Sequence, residues 1–268
     1  MKNLFGDWSR IQTLIKQRPL LICLDYDGTL SPIAPTPRQA VLPTKTKQVL
    51  QSLIASHGIS VAVISGRAMS DVTSLVGLKG IIYSGNHGFE AEGGGIRFKI
   101  HIPPAYDKAI MCLEKTLKNR YKTTKGVIVE NKKPFLAVHY RLANKRDIPN
   151  IRKIFWETVK KTSAKRLLRT KTGKMILEIQ PSINWDKGKI VLWLLTKKRS
   201  MVGGKKILPI YVGDDITDED AFHALRNRGI TVFVGHSRTS CAQYSLSDTN
   251  KVHAFLKRIV SLKSSEKP

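Results

Sequence analysis

The chain has 268 residues, 41% hydrophobic and 7% aromatic, the proportions of a folded protein and not of a disordered one. Lys and Arg number 46 against 20 Asp and Glu, a formal net charge of +26, so nucleic-acid binding has to be weighed. No run approaches about 20 consecutive apolar residues, which excludes a transmembrane helix. Three widely separated cysteines, Cys23, Cys112 and Cys241, exclude a disulfide framework and fit a reducing compartment.

In chain order, residues 1–18 are mixed polar without an apolar signal core. Leu4, Trp8, Ile11 and Ile15 recur at helical spacing there and predict an amphipathic helix. Residues 20–24 (Leu-Leu-Ile-Cys-Leu) are short, uncharged and without helical period, so they read as a buried parallel strand. Asp25-Tyr26-Asp27-Gly28-Thr29-Leu30 follows at once, so two carboxylates leave the carboxyl end of that strand. Held close, they repel unless a cation sits between them. A hard divalent ion such as Mg²⁺ suits oxygen ligands of this kind. A carboxylate there can also attack phosphorus, and its neighbour can shuttle the proton.

The loop 31–43 carries four prolines and cannot be helical throughout. A helix with Val49, Leu50, Leu53 and Ile54 on one face follows. A strand over 61–64 leads into Ser65-Gly66-Arg67, whose hydroxyl and backbone N–H groups can hold phosphate oxygens. Next come a helix over 68–76, a strand end at 81–83, the loop Gly85-Asn86-His87-Gly88, and a β-hairpin over 89–100 around Gly93-Gly94-Gly95. Pro103-Pro104 marks a change of pattern. Beyond it the periodicities predict helix 106–119, strands 127–130 and 136–140, helix 148–160, and strands 167–170 and 175–179. That αββαββ unit predicts an antiparallel sheet with helices on one face, ended by Pro181.

Asp186-Lys187-Gly188 then opens a helix, and a Lys there can neutralise phosphate and orient Asp25. The apolar run 207–212 delivers Gly213-Asp214-Asp215-Ile216-Thr217-Asp218-Glu219-Asp220, with five carboxylates in seven residues. One or two acids there would be an ordinary helix cap; five point to a second strand end serving the same metal. A last strand is predicted at 231–234, and the tail 261–268 is expected to be disordered. The chain thus divides into a core of residues 1–103 and 186–268 and an insertion of residues 104–185. The insertion holds 20 Lys and Arg against 6 Asp and Glu. The basic residues are otherwise spread along the chain and no nucleic-acid motif is present, so a solvated basic surface with weak, non-specific nucleic-acid binding is expected.

Asp25-x-Asp27-x-Thr29, Ser65, Lys187 and Asp214-Asp215-x-x-Asp218, in this order, resemble the four motifs of the haloacid dehalogenase superfamily. Asp-Tyr-Asp-Gly-Thr-Leu-Ser-Pro-Ile, Ser-Gly-Arg, Gly85-Asn86-His87-Gly88 and Gly-Asp-Asp-Ile-Thr-Asp-Glu-Asp-Ala-Phe narrow the resemblance to the trehalose-6-phosphate phosphatases, over about residues 20–256. The resemblance implies an α/β fold, a haloacid-dehalogenase-like Rossmannoid core with a parallel sheet and an inserted α+β cap. It implies a Mg²⁺-dependent phosphatase that makes trehalose through an aspartyl-phosphate. Asp25 is then the nucleophile and Asp27 the proton shuttle, with Ser65 and Lys187 on the phosphoryl group. Asp25, the backbone carbonyl of Asp27 and Asp214 would ligate Mg²⁺, with Asp215 and Asp218 behind them. The family's sugar-reading residues look like Glu130-Asn131-Lys132 and Glu178; a strand-edge carboxylate paired with a nearby Lys is the plainer reading of each Glu, and the sugar-reading role is placed ahead of it because carboxylates suit vicinal hydroxyls. His139-Tyr140-Arg141 also resembles the family, and Arg67, His87 and Gly88 are expected to face substrate. A small sugar phosphate as partner, no specific nucleic acid, no membrane and a cytoplasmic location are expected. So is a monomer, with association with a trehalose-6-phosphate synthase left open. Two alternatives stay open: a phosphatase of this cap type for another sugar phosphate, and a basic nucleic-acid-binding protein on a phosphatase fold.

Overall fold

A computed structural model describes residues 1–34, 36, 39–173 and 175–264. The chain begins with β1 (Lys2–Asn3), α1 (Trp8–Lys16), β2 (Leu20–Leu24), α2 (Thr44–Ala55), β3 (Ile59–Ile64), α3 (Met69–Val76) and β4 (Ile82–Gly85). The hairpin β5 (Glu90–Gly93) and β6 (Ile96–Lys99) follows, then α4 (Pro104–Arg120), β7 (Ile128–Asn131), β8 (Leu136–His139), α5 (Ile148–Lys161), β9 (Leu168–Gly173) and β10 (Ile176–Pro181). The chain ends with α6 (Lys187–Met201), β11 (Leu208–Gly213), α7 (Glu219–Leu225), β12 (Ile230–Val234), β13 (Tyr244–Leu246) and α8 (Thr249–Ser264). No helix among the described residues is long and apolar enough to cross a membrane.

Two units result, one of residues 1–99 and 185–268 and one of residues 100–184. In the larger unit one sheet runs β1-β13-β12-β11-β2-β3-β4-β5-β6. Pairings from β1 to β4 are parallel, and β5 and β6 close the far edge antiparallel. The strand at its centre explains the uninterrupted apolar run of the sequence, because both faces are covered. Leu20, Ile22 and Leu24 pack with Ile11, Leu50, Val72 and Phe255 on one side. Leu21 and Cys23 pack with Ile190, Leu194 and Phe222 on the other. From β2 the chain winds outward through β3 and β4; from β11 it winds the other way through β12 and β13. The carboxyl ends of β2 and β11 therefore flank the point where strand order reverses, where open α/β sheets bind ligands.

The smaller unit has the expected αββαββ order and a sheet β7-β8-β10-β9, antiparallel throughout. Leu136, Val138, Leu177 and Ile179 point to one face and pack with Leu113, Leu117, Ile151 and Phe155 of α4 and α5. Alternation puts Glu130, Ala137, His139 and Glu178 on the opposite face.

Two expectations fail at the C-terminus. The strand at 230–234 is not the last, because β13 adds a three-residue strand parallel to it; so short a segment leaves no periodicity to detect. Residues 261–264 are helical, because α8 buries Val252, Phe255, Leu256 and Ile259 in the core and so continues to Ser264. The rest of the tail, 265–268, lies outside the described residues. The loop 31–43 has no α-helix among its described residues; Pro35, Pro37 and Arg38 lie outside them.

Phe155 is fully buried in the smaller unit whereas Met111 on α4 is 65% exposed. Phe155→Ala is expected to cost about 3–5 kcal/mol in denaturant unfolding, and Met111→Ala within about 0.5 kcal/mol. Equal costs would contradict the assigned core.

Candidate active site

The register sets the site. Val212 of β11 lies opposite Leu24 of β2, which lies opposite Val63 of β3. Asp25, Ser65 and Asp214 each stand one residue past the end of one of these three adjacent strands. The Asp25 N–H donates to the Val212 carbonyl at 2.9 Å, which ties the first acidic turn to β11. Gly28, at φ +83°, lies so close to Asp214 that a Cβ there would run into its carboxylate. Thr29 Oγ1 donates to Asp214 Oδ1 at 3.1 Å.

Lys187, the first residue of α6, is buried between two carboxylates. Its Nζ donates to Asp25 Oδ1 at 2.6 Å and to Asp218 Oδ1 at 2.7 Å. Asp186 caps the helix by accepting from the Lys189 N–H at 2.9 Å, which fixes where Lys187 starts. Burial alone would pull the Lys187 pKa down; the charges of Asp218 and Asp25 outweigh it and hold the pKa above the usual lysine value.

Asp218 is fully buried and fully used. Its Oδ1 also accepts from Tyr211 Oη at 2.7 Å, and its Oδ2 accepts from the Asp214 and Asp215 N–H groups at 3.0 Å each. These four bonds fill the lone-pair sites of one carboxylate. Asp215 is exposed; its carboxylate caps the Ile216 N–H at 2.6 Å, and it forms a reciprocal capping box with Asp218.

Asp25, Asp214 and Asp218 each present an oxygen within 4.8 Å of the others. Burial pushes the Asp25 carboxyl well above the ordinary carboxylate range; Lys187 opposes this, and Asp218 and Asp214 add to it. Burial, then the charge of Asp218, pushes Asp214 up to about 7. Such crowding is what a divalent cation relieves. With Asp218 saturated, Asp25 and Asp214 are the carboxylates that keep lone pairs for it, an all-oxygen set that fits a hard ion.

Asp27 is held apart from this cluster. Arg67 Nε and Nη2 donate to its two oxygens, both at 2.6 Å, a bidentate pair. The guanidinium also lies 5.4 Å from the centre of the Tyr26 ring. Ser65 is buried, and its Oγ accepts from the Arg67 N–H at 3.1 Å, closing the turn. The His87 N–H donates to the Ser65 carbonyl at 2.9 Å, so the Gly85–Gly88 loop lies against the same turn.

In the smaller unit, Glu130 of β7, Ala137 of β8 and Glu178 of β10 occupy one row across the sheet. The alanine leaves space between the two carboxylates. Glu130 Oε2 lies 3.2 Å from Lys132 Nζ and 2.9 Å from His139 Nε2, all three partly exposed. The local pairing weighed from sequence is therefore present at Glu130, yet exposed pairs of this kind add little to stability.

Sequence reading missed three contacts: Arg67 with Asp27, Tyr211 with Asp218, and the Trp185 Nε1–H donating to the Gly88 carbonyl at 2.7 Å. The first and third join residues far apart in the chain and leave no local pattern. The second had one signal, a tyrosine in an otherwise aliphatic strand.

Residues 23–252 match the trehalose-phosphatase family model. A trehalose-phosphate phosphatase of Mycobacterium tuberculosis is 35% identical over 92% of this chain, which spans 62% of that protein's length. Trehalose 6-phosphate phosphatase RA3 of Zea mays is 34% identical over 94% of this chain and 73% of its own. Among solved structures, the C-terminal domain of the Candida albicans trehalose-6-phosphate phosphatase superposes with a TM-score of 0.75 at 24% identity, over 94% of this chain and 96% of that one. The Aspergillus fumigatus trehalose-6-phosphate phosphatase gives 0.69 at 24% identity, over 97% and 99%. The fold is thus that of the haloacid-dehalogenase-like phosphatases, and the chain belongs to the trehalose-phosphatase family.

Proposed function

We propose that the protein is a Mg²⁺-dependent phosphatase that hydrolyses trehalose 6-phosphate to trehalose and phosphate. The observation that carries this is the buried Lys187 held between Asp25 and Asp218 where strand order reverses, with Asp214 beside them. Asp25 attacks phosphorus and takes the phosphoryl group; the bond to the sugar oxygen breaks. Asp27 gives that oxygen a proton, then takes one from the water that hydrolyses the aspartyl-phosphate. Arg67 fixes the Asp27 carboxylate with two donors, so one Asp27 oxygen has to leave that pair and take a proton from solvent before it acts as the acid. Ser65 holds a phosphoryl oxygen through its hydroxyl, and Lys187 offsets the phosphoryl charge. Mg²⁺, held by Asp25, the Asp27 carbonyl and Asp214, would lower the repulsion between carboxylate and phosphate.

Residues 104–185 serve in this reading as the cap that recognises the sugar. Glu130, Lys132 and Glu178 read the distal glucose, because carboxylates suit vicinal hydroxyls. Arg67, His87 and Gly88 stand on the phosphate side. The three free cysteines support a cytoplasmic, reducing location. The reading includes a monomer that can associate with a trehalose-6-phosphate synthase.

Phosphate release from a panel of sugar phosphates, with and without chelator, tests the function. Trehalose 6-phosphate is expected to be the preferred substrate and chelation to abolish turnover; full activity after exhaustive chelation would contradict the metal. Asp25→Asn is expected to keep the fold and lose turnover, and near-normal release by that variant would sink the mechanism.

The raised Asp214 pKa sets a pH dependence. A group pushed up to about 7 keeps its proton below that pH and must release it to bind a cation. Apparent Mg²⁺ affinity is therefore expected to fall as pH drops from 8 to 6, with proton release per ion bound rising toward one at the acid end. Calorimetry in buffers of different ionisation enthalpy measures this; affinity independent of pH would refute it.

Alanine at Glu130, Lys132 or Glu178 is expected to lower kcat/KM for trehalose 6-phosphate by about 1–3 kcal/mol per lost partner. Hydrolysis of a small aryl phosphate is expected to change little. Equal losses on both substrates would make the three residues structural.

A further inference from the structure

We propose that Trp185 is a positioning residue whose indole N–H, by holding the Gly88 carbonyl, keeps the His87 imidazole against the phosphate-binding turn of Ser65, Gly66 and Arg67. The proposal rests on the phosphatase reading for what that turn binds; the contacts themselves do not depend on it.

Asn86, His87 and Gly88 follow one another in the left-handed region, at φ 53°, 56° and 96°. A histidine there is strained, and such conformations persist only where the surroundings over-determine them. The surroundings act from two sides. On one, the Asn86 N–H donates to the Arg67 carbonyl at 2.7 Å and the His87 N–H to the Ser65 carbonyl at 2.9 Å. The His87 ring lies on the bare backbone of Gly66, where a Cβ would come within 2.5 Å of its Cε1 and 2.8 Å of its Nε2. On the other, Trp185 Nε1–H holds the Gly88 carbonyl at 2.7 Å, and a Cβ on Gly88 would meet Ile190 Cγ2 at 2.6 Å. The loop is thus wedged between the turn and the start of α6.

Trp185 is itself fixed. Its ring stacks on Phe98 at 5.1 Å and 24°, and Phe98 packs on Trp193 of α6 at 4.6 Å. Two residues on, Lys187 meets Asp25. The segment 185–187 therefore sets both the Asp25 side of the site and the His87 side. An imidazole placed over the turn offers an N–H to an anion held beside the Ser65 hydroxyl. In this arrangement Trp185 acts through His87 and touches no reacting atom.

Trp185→Phe keeps the stack on Phe98 and removes only the donor. Its kcat/KM for trehalose 6-phosphate is measured alone and in a His87→Ala background, with thermal unfolding of each variant. If Trp185 acts through His87, the substitution costs about tenfold in the wild type and less than twofold once His87 is gone. The unfolding temperature should fall little. The same loss in both backgrounds, or no loss in the wild type, would overturn the proposal. If the wild type hydrolyses no sugar phosphate, the reading of the reaction has failed, and inorganic phosphate decides the positioning separately. Added phosphate should shift the His87 ring signals in ¹H–¹⁵N spectra of the wild type and leave them nearly unmoved in Trp185→Phe. Identical shifts in both proteins would refute it.

Discussion

One buried ammonium group organises this molecule. Lys187 sits between Asp25 and Asp218, three charges removed from water together. Desolvating them is costly, and the cost is met only where geometry is close and every remaining lone pair is used. Each neighbouring feature answers that demand. Asp186 caps α6 so that Lys187 is its first residue. Tyr211 and two backbone N–H groups complete Asp218. The pairing of β2 with β11 brings two strand ends, nearly 190 residues apart in the chain, into one place.

The cluster still carries more negative than positive charge. Burial and the charge of Asp218 raise the Asp214 pKa, and the Thr29 hydroxyl and Lys187 offset only part of that. The deficit lies beside Asp25 at the mouth of the sheet. There a divalent ion and a phosphoryl group can enter together and neutralise each other as they bind. The basic composition of the chain works in the same direction over a longer range, because a positive field raises the encounter rate of an anionic ligand.

Much of this was legible in the sequence, and for a physical reason. A central parallel strand must be apolar on both faces, so the charged residues that end it stand out sharply, as Asp25 and Asp214 do. The αββαββ order of the smaller unit was legible from its periodicities; that Glu130 and Glu178 share a row across β8 came only from the strand register. What stayed hidden depends on chain segments meeting. The contact of Arg67 with Asp27, 40 residues away, leaves no trace in the sequence. Nothing in the sequence marks the contact of the Trp185 indole with the Gly88 carbonyl. β13 is too short to carry a pattern, and α8 shows why the tail is ordered as far as Ser264: its apolar residues are part of the core.

The central claim is that Asp25 becomes covalently phosphorylated. Rapid acid quench of the enzyme during turnover of trehalose 6-phosphate labelled in its phosphoryl group, followed by peptide mapping, tests it most directly. The account predicts a base-labile label on the peptide containing Asp25, formed within the first turnover and lost as phosphate appears. Steady release of phosphate with no label on the protein at any time would contradict it.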